Sequence, residues 1–110
     1  NARFHALLNE LSASAPVIRE IDRVSALPFA SPSAFVMAQS ALPEAHHILL
    51  LGQDHHRIVV DAIENREGAR AEAVMREHSR LAARNLRLAI RNRTHLDLMP
   101  ALALLRSSAE

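Results

Sequence analysis

Two long stretches with helical patterning, separated by one short break, constrain this chain more than any other feature of its sequence. Over residues 44–66, and again from the break to about Arg91, apolar residues recur at the three- and four-residue intervals of an amphipathic helix. The break is Glu67-Gly68, and glycine is the usual residue where a helix ends in the left-handed conformation. Because so short a connection makes consecutive helices antiparallel neighbours, we expect a helical hairpin.

The remaining segments are shorter, and prolines separate them. Residues 1–13 have the apolar pattern of a helix, and Ser14-Ala15-Pro16 is typical of a cap followed by a first-turn proline, which starts a second helix ending near Ala26. A loop, a short helix, and a terminal short helix or extended strip are predicted over residues 27–33, 34–42 and 94–105. The predicted fold is all-α, an antiparallel helical bundle forming one domain over residues 1–110.

The composition argues against several classes of protein. The 110 residues suffice for one core, and 49% hydrophobic residues with only two Gly favour helices. No cysteine is present, which excludes disulfides and thiolate metal sites and fits a cytoplasmic protein. We expect neither a membrane span nor a signal peptide. The pI of about 9.2 accompanies a net charge of only +1, and Trp and Tyr are absent, so we expect no nucleic-acid surface on this chain.

Two of the seven histidines occupy the apolar side of the long helices. At 100° per residue, His56 and His78 are each central on the apolar stripe of their helix. The stripe around His56 comprises Leu49, Gly52, Val59, Val60 and Ile63, and that around His78 comprises Ala71, Val74, Met75, Leu81, Ala82 and Ala89.

These two histidines are also matched in height. His56 is twelve residues before Gly68 and His78 is ten after it. With a rise of about 1.5 Å per residue, they lie roughly 18 Å and 15 Å from the turn on antiparallel axes. Two inward imidazoles at one level need polar partners, because an unsatisfied buried group costs about 1–3 kcal/mol.

A third histidine comes from the first helix. Asn1 and His5 are four residues apart and project from one helical face, which Asn9 and Ser12 continue. If this face lines the same interior, three imidazoles and one amide converge, a set that suits Zn, Ni, Cu or Fe with positions left for water or a ligand.

The alternatives for these histidines stay open. Each can be an ordinary core histidine whose ring is satisfied by hydrogen bonds. His55 lies 100° around the helix from His56 and replaces it if the helix is rotated. The other three histidines have surface or loop positions and show no pattern: His46, His47 and His95.

Three strings of the sequence resemble a known family. They are N-A-R-F-H-A-L-L-N-E-L-S, Q-D-H-H-R-I-V-V-D-A-I-E-N-R-E and A-R-A-E-A-V-M-R-E-H. They resemble the FCD domain, the effector-binding domain of the FadR subfamily of GntR-type bacterial transcription regulators. The family pattern is an acidic residue or Asn, three residues and the His of an F-H pair, then H-x-x-I-x-x-A-I, a Gly/Asp-rich turn and M-x-x-H. The resemblance runs over nearly the whole chain.

The resemblance implies a metal-centred sensor. By family, Asn1, His5, His56 and His78 bind a divalent metal, often zinc or nickel, whose shell is completed by the carboxylate of a small organic acid. It also implies a homodimer. The family's winged helix-turn-helix and first sensor helices would precede Asn1, so this chain should contact DNA only through that missing domain.

Two departures from the family pattern bear on this expectation. Asn1 stands where many members have Asp, so the site loses a charge and we expect weaker metal binding or greater dependence on the effector's carboxylate. The family's S-G-N turn is Ser12-Ala13-Ser14 here.

Two asparagines are candidate effector contacts. Asn85 falls about 20° from His78, two turns further along its helix. Asn9 follows His5 by one turn. The alternative for Asn85 is a polar residue that ends the stripe.

Two other classes of protein remain as alternatives to a sensor. Three histidines with open positions can activate water in a metalloenzyme. However, no carboxylate lies on an inward stripe to act as a general base, since Asp54 and Glu77 point off-centre. A structural dimerisation bundle with incidental histidines predicts no metal-linked change in melting temperature. We therefore expect a regulatory domain and not an enzyme.

Overall fold

A computed structural model of the protein describes residues 1–27 and 43–91. Within these ranges it contains four helices and no strand: α1 (Ala2–Glu10), α2 (Ala15–Ser25), α3 (Pro43–Glu64) and α4 (Gly68–Arg91). The predicted all-α fold is confirmed. The predictions for residues 28–42 and 94–105, and for His95, fall outside the described part of the chain. None of the described helices has both the length and the apolar character needed to cross a membrane.

The α3–α4 hairpin holds the core of the described structure. Ala45, Ile48, Val59 and Ala62 are buried along one side of α3, and α3 packs against α4. Together with Gly52 and His56 they recur at intervals of three and four residues, so they form a narrow stripe of the kind that a single neighbouring helix covers.

The predicted stripes were too wide. Val60 is 45% exposed and Ile63 is 38% exposed, although both were expected to face inward around His56. Ala82 on α4 is likewise exposed. The reason is geometric: a residue that is rotated by about 100° around its helix from the α3–α4 interface is buried only if a further helix packs there.

The turn between α3 and α4 was placed correctly, but its left-handed residue is not the glycine. Arg66 has φ 59°, whereas Gly68 has no positive φ and is the first residue of α4. The amide of Glu67 donates to the carbonyl of Ala62 (2.8 Å), and that of Arg66 donates to Ile63 (3.0 Å). This pair of bonds is a Schellman motif, which places the left-handed residue at position 66.

Helices α1 and α2 form a second, less buried pair. They pack on each other, and neither contains a buried residue. Ala13 joins them with φ 50°, and the extended Ser14 precedes α2, whose first turn contains a proline as predicted. The Ser14 side chain makes no capping hydrogen bond, so the start of α2 depends on the backbone conformation and on Pro16.

Candidate metal centre

Three helices each place one histidine at a common point. His5 of α1, His56 of α3 and His78 of α4 each offer a ring nitrogen, and these nitrogens all lie within 4.8 Å of one another. The Nε2 atoms of His56 and His78 are 3.3 Å apart. The ring centroid of His5 is 5.1 Å from that of His56 and 5.4 Å from that of His78.

The hairpin brings His56 and His78 together because of their register. Counted from the turn, they have nearly equal heights, as the sequence predicted, and their ring centroids are 4.6 Å apart. Gly52, one turn before His56, lies against the other ring: a Cβ at Gly52 would be 3.6 Å from Cε1 of His78. The His78 ring is therefore supported by the α3 backbone.

Phe4 closes one side of the cluster. Its ring stacks on His56 with centroids 4.0 Å apart and planes inclined by 19°, and its edge meets His5 at 5.3 Å. By sequence pattern alone, Phe4 is an ordinary residue of the apolar side of α1. The signal for its second role was the adjacent F-H pair, since consecutive helical residues reach two neighbouring surfaces.

Burial keeps the three imidazoles neutral at neutral pH. The pKa of His56 falls to about 4, chiefly because the ring is removed from water and then because His78 and His5 repel a second positive charge. The pKa of His78 also falls to about 4, through burial first and then through His5 and His55. Burial likewise lowers the pKa of His5. Neutral imidazoles have the free lone pair that metal binding requires.

The geometry fits a divalent ion. Two nitrogens bound at roughly 2.0–2.1 Å to a tetrahedral ion are about 3.3 Å apart, which is the observed Nε2–Nε2 distance between His56 and His78. Nε2 of His5 is buried and has no hydrogen-bond partner among the described residues. A buried imidazole nitrogen without a hydrogen-bond partner can accept a proton or bind a cation.

Asn1, the fourth predicted ligand, lies four residues before His5. It precedes α1 and is exposed, and it borders a cavity of about 370 Å³ at His56. The lining of this cavity comes from the start of α1 and one side of α3: Asn1, Phe4, Gln53, His56, Arg57, Val60, Asp61 and Glu64. A role for Asn1 as a metal ligand stays a prediction.

His55 stands next to the cluster and does not belong to the group of three. It is half-buried, and its ring centroid is 5.9 Å from that of His78. His46 and His47 are exposed, as predicted.

The two asparagines differ in burial. Asn85 is 5% exposed, and its Oδ1 is buried with no partner among the described residues. It lies seven residues after His78, roughly 10 Å along α4. Asn9 is half-buried and one turn beyond His5 on α1. Asn85 therefore lies about two turns of α4 beyond His78, and nothing in the described part of the chain pairs with its Oδ1.

The described helices gather three neutral imidazoles beside a cavity, an arrangement that can bind a ligand. The family model of the FCD domain matches residues 1–81, and the chain belongs to this family. FCD domains are regulatory domains of transcription regulators, not enzymes; they bind small-molecule effectors and act with a DNA-binding domain. No curated protein and no solved structure matches the chain. The match contains all three histidines but ends before Asn85, so it is shorter than the resemblance suggested.

Proposed function

We propose that this domain senses a small organic acid at a divalent metal ion, zinc or nickel, bound by His5, His56 and His78 with Asn1 as a fourth ligand. The observation that carries the proposal is the convergence of three neutral ring nitrogens, from three different helices, within 4.8 Å. We further propose that the domain is the effector-binding part of a cytoplasmic, homodimeric GntR/FadR-type regulator that contacts DNA through a separate domain.

The charge of the ligand set favours an anionic effector. Three imidazoles and the Asn1 amide are all neutral, so they do not compensate the two positive charges of the ion. When bound, the ion supplies a fixed positive charge with open coordination positions. A carboxylate is then the complementary partner, and charge-assisted contacts of this kind are stronger than neutral ones. Asn1 and His56 border the cavity by which such an acid would reach the histidines.

Transmission of the signal would depend on α1. This helix meets the hairpin through Phe4 and His5, whose rings contact His56 and His78. An effector that draws His5 closer to the other two histidines moves α1 relative to the hairpin. Such a ligand shifts the protein only if it binds one arrangement better than the other.

The test is metal stoichiometry. The wild-type chain, purified without chelator, should hold one ion per chain by native mass spectrometry and elemental analysis. The variant His56→Ala with His78→Ala should hold none, because two of the three imidazoles are gone. A matched control, His46→Ala with His47→Ala, removes two exposed histidines and should keep the ion.

A second arm tests the effector class. Small mono-, di- and hydroxycarboxylates should give a calorimetric signal with the zinc-loaded protein and none after zinc is removed. Unchanged metal content in the His56/His78 variant refutes the metal site. Carboxylate binding of equal affinity with and without zinc refutes the proposal that the metal binds the effector's carboxylate.

A further inference from the structure

We propose that His55 is a positioning residue for His78: its Nδ1 accepts a hydrogen bond from Nδ1–H of His78 when His78 binds the metal through Nε2. This inference rests on the metal site proposed above. It assigns a role to a histidine outside the group of three.

The orientation of the His78 ring leaves only its Nδ1 for such a bond. Its Nε2 faces Nε2 of His56 at 3.3 Å, so the Nε2 edge of the ring points into the cluster. The adjacent edge of the ring, from Cε1 to Nδ1, rests on α3, where a Cβ at Gly52 would lie 3.6 Å from Cε1 and 4.0 Å from Nδ1. Nδ1 of His78 therefore lies against the α3 helix surface next to Gly52.

His55 lies on that same surface. It follows Gly52 by three residues, a spacing that puts two side-chain positions on one helical face. Its ring is 5.9 Å from the His78 ring, with the planes at 68°. Two imidazoles sharing an N–H···N bond of ~2.9 Å have centroids roughly 5.3 Å apart, so the two rings are slightly further apart than a hydrogen-bonded pair. Nδ1 of His55 and Nδ1 of His78 are both buried without partners among the described residues.

Metal binding creates the need for this hydrogen bond. When Nε2 of His56 and Nε2 of His78 share a hydrogen bond, one of them must carry the proton and donate it to the other. If both Nε2 atoms were instead to hold a metal, both rings would have to carry their proton on Nδ1. His78 then has a buried donor that requires an acceptor, and metal-binding histidines almost always have one. His55 supplies it when its own proton is on Nε2.

The experiment compares two substitutions that differ in hydrogen-bonding capacity. His55→Phe keeps a ring but has no acceptor, whereas His55→Gln keeps an acceptor oxygen. The zinc dissociation constant, measured by competition with a chromogenic chelator, should rise about 10- to 100-fold in His55→Phe. It should stay within about threefold of wild type in His55→Gln and in His46→Phe, an exposed control. The melting temperature of the metal-free protein should be the same for His55→Phe and wild type.

A second measurement follows the hydrogen bond directly. In the zinc-loaded wild-type protein, ¹⁵N NMR should show a slowly exchanging Nδ1–H proton on His78, and His55→Phe should lose its protection. Wild-type zinc affinity in His55→Phe, with that proton still protected, overturns the role of His55 while the metal site stands. If His55→Gln is as weak as His55→Phe and the proton stays protected, His55 is itself a metal ligand and the positioning role is refuted. A wild-type chain that takes up no zinc overturns the metal site and this inference together.

Discussion

The α3–α4 hairpin and the α1–α2 pair contribute to the same site but differ in how firmly they are packed. The hairpin buries Ala45, Ile48, Val59 and Ala62 and presents His56 and His78 at hydrogen-bonding distance. Helices α1 and α2 bury no residue, and four large apolar side chains in them or at the end of α1 are between 44% and 65% exposed: Leu7, Leu11, Val17 and Val24.

The difference indicates how the site is assembled. The hairpin by itself positions two of the three proposed ligands, His56 and His78, because they lie in the same α3–α4 interface as the hydrophobic core. The third, His5, comes from a helix that meets the hairpin mainly through aromatic rings. Elements with few buried contacts are those that move when a ligand binds, so α1 is the part of the proposed site that we expect to move when the metal or the effector binds.

The largest expected effect is protection of α1 by zinc. At a free zinc concentration 100 times the dissociation constant, binding stabilises the occupied arrangement by about 2.7 kcal/mol. Because α1 has no buried residue of its own, hydrogen exchange of its amides should slow by at least tenfold. Amides of the α3–α4 seam, already protected by burial, should change much less. Hydrogen–deuterium exchange with mass spectrometry measures both regions at once.

The variant His5→Ala is the control for this comparison. It keeps His56 and His78 of the hairpin and removes the proposed ligand that α1 contributes. Zinc should then leave exchange in α1 unchanged. Equal protection of both regions in the wild-type protein would show that α1 and the hairpin already behave as one unit.

An effect of intermediate size is expected from acidification of the metal-free protein. The pKa values of His56 and His78 are about 4 in the folded protein, against 6.5 for an exposed histidine. Between these values the unfolded chain binds more protons than the folded one, so stability is full above pH 6.5 and falls as the pH drops towards 4. Allowing for solvent near the cavity, the loss from pH 7 to pH 5 is on the order of 1 kcal/mol per ring.

Denaturant unfolding at the two pH values measures this loss. A variant with His56→Leu and His78→Leu should show a smaller pH dependence, because both shifted groups are gone. Equal pH dependence in variant and wild type would assign the effect to other groups.

Helical geometry explains which parts of the site were predictable from sequence. The rise per residue is nearly constant, so counting from the turn gave the heights of His56 and His78, and the 100° rotation favoured His56 over His55. The exposure of Val60 and Ile63 was not predictable in this way. It depends on how many neighbours α3 has, which is a property of the tertiary structure.

The C-terminal end of α3 was likewise only partly predictable from the sequence. Glycine preference pointed to Gly68, but the hydrogen bonds from Arg66 and Glu67 end the helix two residues earlier. Asn65 adds a bond from Nδ2 to the carbonyl of Asp61 (2.8 Å), and Arg70 pairs with both Asp61 and Glu67 at 2.7 Å. These bonds link α3, the turn and α4, and single-residue preferences do not reveal them.

The smallest expected effects come from the two left-handed residues, one in each region. Ala13 (φ 50°) and Arg66 (φ 59°) occupy a conformation in which glycine is not strained. Arg66→Gly should stabilise the hairpin, and with it the whole fold, by about 0.5–1 kcal/mol, measured by denaturant unfolding.

Ala13→Gly removes the same strain between α1 and α2, yet it should raise global stability less. If α1 and α2 detach before the hairpin unfolds, removing the strain at position 13 stabilises only the attached state of these two helices. Hydrogen exchange of α1 and α2 amides then slows, while the denaturant midpoint of global unfolding hardly changes. Alanine replacing the adjacent Ser14, which has φ −119° and whose side chain makes no capping hydrogen bond, is the matched control for a change in the same turn. Equal gains in global stability from Ala13→Gly and Arg66→Gly would mean that α1 and α2 unfold together with the hairpin, and α1 would then be too firmly held to act as the moving part of the sensor.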